Sequence, residues 1–349
     1  MRVAIVSLNF SPGHIAHLRA YQKLYQEIAD EVTMFLHPDY ESMMEHIADV
    51  CYTQDPDEVM KYNPHLVFTY NIAMQNIRLA KRCKRKRTPF YYVLHEPFGG
   101  FRNLFKEKGE IVKTIGALLV NICITGNSAK VLLASDVGRD NYEKYMKWCN
   151  KNYDVFPLIF CDEFDTVRTI KRKYIAFIGG FLEAHACKEF LSFMEYALDK
   201  DDDINFLIAT KLNIDNYLKS EKIQKALEDG RLKVQSGRPM TTEEINIFYR
   251  ESLCVWNAYN RSTQSGVMPN ALMQGTPLLV NKNGAAKGII EDKINGYYVK
   301  TPHNNEEIME ACQYIREHIE DMEKACRDVF LKEYCYEGHI ELAKKVILQ

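Results

Sequence analysis

The chain has 349 residues, 46% hydrophobic and 26% charged, with a formal net charge of −2. That length fits two domains of ordinary size, and the apolar fraction excludes a disordered chain. The near-neutral balance argues against a protein that coats nucleic acid, so no nucleic-acid partner is expected.

Read from the start, RVAIVSL is an apolar strand run, His14 to Ile28 has helical spacing and EVTMFLH is a second strand. Residues Glu41 to Asp49 and Pro56 to Tyr62 read as helices. HLVFTYN is a third strand, Ala73 to Lys86 a helix and PFYYVLH a fourth strand. Phe105 to Ile124 forms a long apolar helical pattern, followed by the strand KVLLAS. Strands that are apolar throughout, alternating with helices, indicate a parallel sheet covered on both faces. A second series starts near Lys173: YIAFIGG, INFLIAT, RLKVQSG, SLCVWNAY, TPLLVNK and GYYVK are strands. Between and after them, Lys188 to Leu198, Ile214 to Leu227, Thr242 to Arg250 and Pro269 to Gln274 read as helices, with further helices to the end. The fold class is α/β, two doubly wound Rossmann-like units. The expected domains are 1–165, 166–330 and a C-terminal helix, 331–349, returning to the first domain.

Ten cysteines, none in a C-x-x-C pair, read as reduced thiols of a cytoplasmic protein. The run from Val3 to Leu8 is too short for a secretory core, and the longest apolar stretch, Ile115 to Ile124, is half a membrane span. Charge is uneven. Residues 61–151 carry a local balance of +11 and residues 1–60 one of −7. The densest piece is Lys81-Arg82-Cys83-Lys84-Arg85-Lys86-Arg87. It suits a helix C-terminus, whose dipole favours cations, or an anionic membrane surface. The apolar helix after it is expected to pack on the sheet rather than lie in a bilayer interface.

Ligands of open α/β sheets bind beyond the carboxyl ends of the strands, so the loops there are searched for chemistry. The first loop holds Gly13 and His14 before a helix, where backbone N–H groups can meet an anion or a sugar hydroxyl. The fourth strand ends in His95-Glu96-Pro97-Phe98-Gly99-Gly100. His95 and Glu96 at a central strand end, followed by Gly99, suit a binding loop. In Ser262 to Val280 a polar loop with Ser265, Gly266 and Val267 opens a short helix, Asn270 lies on its first turn, and Gly275 stops it. Free N–H groups and a helix dipole at Gly266 and Val267 make a phosphate cradle. Asp201-Asp202-Asp203 looks like a metal-binding D-x-D motif but reads as a solvated turn, and no metal site is expected.

The stretch NALM-Q-G-TP-LLV followed by EDKINGYYV resembles the C-terminal signature of glycosyltransferase family 4, in the form associated with bacterial surface-polysaccharide synthesis. The resemblance extends to the Gly179-Gly180 turn with Lys188, to the Gly13 loop and to His95. It implies a GT-B fold, two Rossmann-like domains facing each other across a cleft. The implied activity is transfer of a sugar from a nucleotide diphosphate-sugar donor to a glycan or lipid-linked acceptor, with retention. No cofactor and no essential metal are implied, and the enzyme would be cytoplasmic, possibly peripheral on the inner face of a membrane. The second domain would hold the donor through Lys188, Gly266 and Val267, with Lys211, Arg238, Ser262, Ser265 and Asn270 as further contacts. The first domain would hold the acceptor near Gly13, His14, Glu96 and Gly99, with His95 at the transferring sugar. The sequence departs from the family at three positions: Ser262 and Asn270 stand in place of glutamates, and Phe181 follows Gly180 in place of a basic residue. Those departures keep two alternatives open: a non-catalytic scaffold of the same fold that partners a transferase, and a nucleotide-sugar epimerase.

Overall fold

The computed structural model describes residues 1–44, 47–100, 111–164, 170–200, 203–260, 266–282 and 286–347. Two compact units emerge: Met1–Cys161 with Tyr334–Gln349, and Asp162–Glu333.

The first unit is built on a seven-stranded sheet of β1 (Arg2–Ser7), β2 (Glu31–Leu36), β3 (Val50–Tyr52), β4 (Leu66–Tyr70), β5 (Phe90–Leu94), β6 (Lys130–Leu133) and β7 (Tyr153–Val155). Their order is β3-β2-β1-β4-β5-β6-β7, and every pairing is parallel. The central strands are apolar at nearly every position because both faces are covered. One face packs α1 (Ile15–Gln26) through Leu18, Tyr21 and Leu24. The other packs α2 (Pro56–Lys61), α3 (Met74–Lys86), α4 (Ile111–Thr125) and α5 (Asp136–Tyr145) around Leu79, Cys83 and Tyr142. The chain ends return to this unit. Phe160 and Tyr336 exchange backbone bonds with Tyr334 and Phe160, and Lys130 Nζ donates to the Val346 carbonyl at 2.7 Å.

The second unit holds β8 (Tyr174–Ile178), β9 (Asn205–Ala209), β10 (Leu232–Gln235), β11 (Ser252–Asn257), β12 (Leu278–Val280) and β13 (Gly296–Tyr298). They form a parallel sheet ordered β10-β9-β8-β11-β12-β13. Its helices are α6 (Cys187–Leu198), α7 (Glu221–Glu228), α8 (Thr242–Glu251), α9 (Val267–Met273), α10 (Asn305–Glu317) and α11 (Ile319–Glu333), and α12 (Ile340–Ile347) belongs to the first unit.

Several expectations are corrected. Among the described residues of Glu41 to Asp49 there is no α-helix: a 3-10 turn runs Pro38–Met43, begun by Pro38 and by Asp39 N donating to His37 Nδ1, and β3 follows. The pattern Ile214 to Leu227 breaks into a 3-10 turn at Asp215–Tyr217 and α7, because Ser220 Oγ accepts from Ile223 N and starts a new helix. The elements α5, β3 and β7 were not expected. The first six residues of the Phe105 to Ile124 pattern lie outside the described residues. The largest difference is α4, expected against the sheet: among its fifteen residues only Ile124 and Thr125 are buried.

One side chain organises the second unit. The Arg172 guanidinium, nearly buried before β8, donates to Ser252 O at 3.0 Å, Thr276 Oγ1 at 2.8 Å and Gln274 O at 2.6 Å. Its Nε pairs with Glu323 Oε2 at 3.0 Å. It thereby ties β11, the end of α9 and α11 together. Gly275 completes the turn with φ +66°, where a Cβ would meet Glu323 Cγ at 2.7 Å. Removing Arg172 leaves buried carbonyls unpaired and Glu323 without its partner. Arg172→Met is expected to cost about 3 kcal/mol of the second unit's stability, and Arg172→Lys to recover under half of it, because an ammonium cannot reproduce the planar fork. Urea unfolding of the three proteins checks this.

Candidate functional site

Each strand order reverses once, between β1 and β4 in the first sheet and between β8 and β11 in the second. At such a switch the two crossovers leave on opposite faces, and a crevice opens at the strand ends.

In the first unit that crevice is rigidly built. Tyr40 Oη accepts from Ser11 N at 2.9 Å and donates to Ser11 O at 3.0 Å, which fixes the loop after β1. Asn71, at the end of β4, donates through Nδ2 to Asn9 O at 2.9 Å, and Asn76 Nδ2 donates to Asn71 O at 2.9 Å. Sequence reading missed Tyr40 and Asn71, whose partners lie far along the chain, and Asn76, whose bond to the Asn71 carbonyl five residues back follows no helical spacing. It expected free N–H groups in the Gly13 loop. Two of them are occupied, Ser11 N by Tyr40 and His14 N by the Ser11 carbonyl at 2.9 Å. Nothing stands within 4 Å of a Cβ at Gly13.

His14 and His95 come together. Their rings stack at 5.8 Å with 27° between planes, and Tyr70 stands edge-on to both, at 5.0 Å and 6.1 Å. His17 joins from the next turn of α1, 5.6 Å from Tyr70, with its Nδ1–H donating to Ile159 O at 3.0 Å. Burial drives all three imidazoles toward the neutral form. His17 is pushed down to about 3 and His14 to about 4, chiefly by loss of solvent and then by the neighbouring histidines. His95 is also lowered by burial, against the opposing pull of Glu96. His14 Nδ1 and Tyr70 Oη find no hydrogen-bond partner among the described residues. Unpaired buried polar atoms at a strand end are the kind of cost that functional sites retain.

Beyond His95, the loop runs along a cavity of about 400 Å³ between Glu96, Phe98, Gly99 and the α4 side chains Lys113, Leu118 and Asn121. Its walls are largely apolar, with a carboxylate, an ammonium and an amide at the rim. So Glu96 and Gly99 line one cavity, next to the His14–His95 pair.

In the second unit Gly179 closes β8 with φ +117°, and a Cβ there would stand 3.3 Å from Val267 Cγ2 at the start of α9. The β8 turn and the amino end of α9 are thus in contact at the switch point. Gly266 caps α9 in ordinary helical geometry, with open space where a Cβ would stand. Asn270 turns its Nδ2 back to the Gly266 carbonyl at 2.8 Å rather than outward. Ser262 and Ser265 lie outside the described residues.

The remaining expected contacts are dispersed. Lys188, on the first turn of α6, pairs with Glu183 at the surface. It lines a separate cavity of about 430 Å³ with Asn260, Thr301 and His303. Lys211 follows β9 and is exposed. Arg238 follows β10, and its guanidinium grips Glu244 at 2.6 Å and 3.0 Å. That ion pair, with the Thr241 N–H, holds the Glu244 carboxyl down at about 2, and Glu244 closes the capping box of α8. Arg238 therefore serves a helix start in this structure. Asp201 and Asp202 lie outside the described residues, and Asp203 is exposed in the turn before β9. Among the described residues no three His, Cys, Asp or Glu side chains gather as metal ligands.

Neither a protein-family model nor a curated protein sequence matches the chain. Solved structures do. The chain is similar to Anabaena HepE in complex with UDP at a TM-score of 0.72 and 12% identity, with 100% of each chain covered. It is similar to a glycosyltransferase from Rickettsia africae at 0.72 and 13% identity, covering 99% of this chain and 98% of that one. Sucrose-phosphate synthase from Thermosynechococcus elongatus scores 0.69 at 12% identity, over 100% and 98%. The two parallel sheets and their helices are the GT-B glycosyltransferase fold.

The histidine pack sets a pH dependence. A group whose folded pKa is depressed leaves full stability above its unfolded value, and loses it as pH falls. For His17 the window runs from the unfolded 6.5 down toward about 3. Its share of the loss is about 3 kcal/mol by pH 4. The stability of His17→Gln, which keeps a donor for the Ile159 carbonyl, is expected to fall less steeply between pH 6.5 and 4 than that of the wild type. Equal slopes in denaturant titrations across that range would remove His17 from the account.

Proposed function

We propose that the protein is a glycosyltransferase that takes a sugar from a nucleotide diphosphate-sugar and delivers it to a glycan or lipid-linked acceptor. The observation that carries this reading is the contact of the Gly179 turn with Val267 at the switch point of the second sheet. It sits in a chain similar over its full length to HepE, which was solved with UDP and with UDP-glucose. The resemblance to glycosyltransferase family 4, retention at the anomeric carbon and a role in polysaccharide assembly belong to the same proposal.

In this reading the second unit binds the donor. The N–H groups of Gly266 and Val267 face the diphosphate, and the α9 dipole favours the negative charge that grows as the sugar leaves. Lys188 can exchange its surface partner Glu183 for a phosphate oxygen, since solvent screens that pair. The first unit binds the acceptor at the cavity beside Glu96 and Gly99. His95, held neutral by burial, offers one ring nitrogen as donor and the other as acceptor to sugar hydroxyls. Lys211, Arg238, Ser262, Ser265 and Asn270 remain secondary donor contacts in the proposal.

One observation favours a second reading, the non-catalytic scaffold. Asn270, at a position where the family has a glutamate, spends its amide on the Gly266 carbonyl. Transfer or hydrolysis assayed against UDP- and GDP-sugars decides between the two, since a scaffold can bind nucleotide without turnover.

Two outcomes are expected. A Cβ at Gly266 meets no described atom within 4 Å, so Gly266→Val is expected to leave the fold intact while adding bulk at the start of α9. Nucleotide affinity by calorimetry should fall at least tenfold, about 1.4 kcal/mol. An unchanged affinity places the donor elsewhere. Turnover should also persist in excess EDTA, because the leaving diphosphate is assigned to backbone N–H groups and a lysine. Loss of activity that a divalent cation restores would overturn that assignment.

A further inference from the structure

Helix α4 carries its apolar side outward. Val112, Ile115, Gly116, Leu119 and Cys123 recur at spacings of three and four, so they form one stripe along the helix. All five are exposed, Val112 at 83%, Leu119 at 58% and Ile115 at 42%. The inward contacts come from Leu118, Val120 and Ile122, which pack toward the core that holds Leu79, Ala80 and Cys83 of α3. A solvated helix normally shows the reverse pattern, and an apolar ridge on a soluble surface marks an interaction site.

The neighbouring helix says which kind. On α3, Met74 is exposed at 67%, and Lys81, Lys84, Arg85, Lys86 and Arg87 at its carboxyl end are exposed as well. Arg78 and Arg82 are neutralised by Asp57, but none of those five cations has a carboxylate partner among the described residues. The two helices pack side by side on one face of the first sheet. Apolar ridge and unpaired cations therefore share a surface. No described helix is long and apolar enough to cross a membrane.

We propose that this α3–α4 face docks on an anionic lipid bilayer, with Val112, Ile115 and Leu119 inserted among the acyl chains and Lys81, Lys84, Arg85, Lys86 and Arg87 against the headgroups. An apolar ridge with a belt of cations is the chemistry of interfacial helices on anionic lipid. A second copy of the chain fits less well, since like cations would face each other across the joint. The surface stands independently of the transfer reaction. It also borders the cavity lined by Lys113 and Leu118, so an acceptor with a lipid tail could reach that cavity without leaving the bilayer.

The test is co-sedimentation with vesicles of phosphatidylcholine, alone or mixed with phosphatidylglycerol. The wild type should pellet with the mixed vesicles at low salt, and at least tenfold less with phosphatidylcholine alone or at high salt. Replacing Val112, Ile115 and Leu119 together by serine should abolish pelleting while circular dichroism and nucleotide binding stay unchanged. Replacing Lys84, Arg85, Lys86 and Arg87 by glutamine should remove only the dependence on phosphatidylglycerol and salt. In an Ile115→Trp variant, brominated acyl chains should quench fluorescence beyond the wild-type level. The proposal is overturned if the wild type stays in the supernatant at low salt, or if the serine triple variant pellets like the wild type. A dimer in equilibrium sedimentation that the triple variant abolishes, without vesicle binding, would assign the ridge to a second copy. Because nucleotide binding is read separately, failure here leaves the glycosyltransferase reading intact, and the reverse holds too.

Discussion

The described candidate site residues are positioned by one constraint: within each sheet every strand runs parallel to its neighbours. Parallel strands need a crossover of helix or long turn between each pair, so all carboxyl ends open on one edge and all the polar loops gather there. Both sheets start near the middle, work outward to one side, then cross back past the first strand. The reversal leaves β1 beside β4 and β8 beside β11, and these gaps hold the histidine pack and the Gly179–Val267 contact. Elsewhere on the edge, as at Arg238, charged groups are absorbed by helix caps.

The two switch points are stabilised by different physics. In the second unit a charged fork does the work: Arg172 reaches three structural elements from one nearly buried guanidinium, and its N–H groups donate to the Ser252 and Gln274 carbonyls, the Thr276 hydroxyl and the Glu323 carboxylate. In the first unit neutral groups do it. Tyr40, Asn71 and Asn76 hold loop carbonyls, and His14, His17 and His95, each driven toward the neutral form by burial, gather around Tyr70, with His14 stacked on His95. A ring that stays neutral at physiological pH can meet a sugar hydroxyl as donor or acceptor without the repulsion that a second cation would impose. Burial lowers the pKa of His95 against the pull of Glu96 and so favours its neutral form.

Much of this was legible in the sequence, and the reasons for the rest are physical. The long central strands announce themselves because both faces are buried and every residue must be apolar. Helix α9 is punctuated by Gly266, Pro269 and Gly275, so its bounds were read within about two residues. Edge strands β3 and β7 have three residues each, half exposed, and carry too little pattern to stand out. Tyr40 was invisible for another reason: its function is a pair of bonds to Ser11, across 29 positions, and no local spacing encodes them. The stacking of His14 on His95 is likewise a product of topology, which brings the ends of β1 and β5 to either side of Tyr70.

Helix α4 is the case where composition misled. Its apolar residues occupy nearly the whole circumference, so periodicity alone says that it should be enclosed. What decides exposure is the room left on the sheet. With α2, α3 and α5 on the same face, α3 already covers the centre through Leu79, Ala80 and Cys83. Helix α4 then touches the core with its last turn and the flank of Leu118, Val120 and Ile122, and the opposite flank of Val112, Ile115 and Leu119 stands clear. Water disfavours such a ridge in proportion to its apolar area, whereas a bilayer interface welcomes it. The fold thus leaves an apolar flank of α4 unenclosed beside an α3 carboxyl end where Lys81, Lys84, Arg85, Lys86 and Arg87 have no carboxylate partner among the described residues, and the docking proposed for this face rests on that pairing.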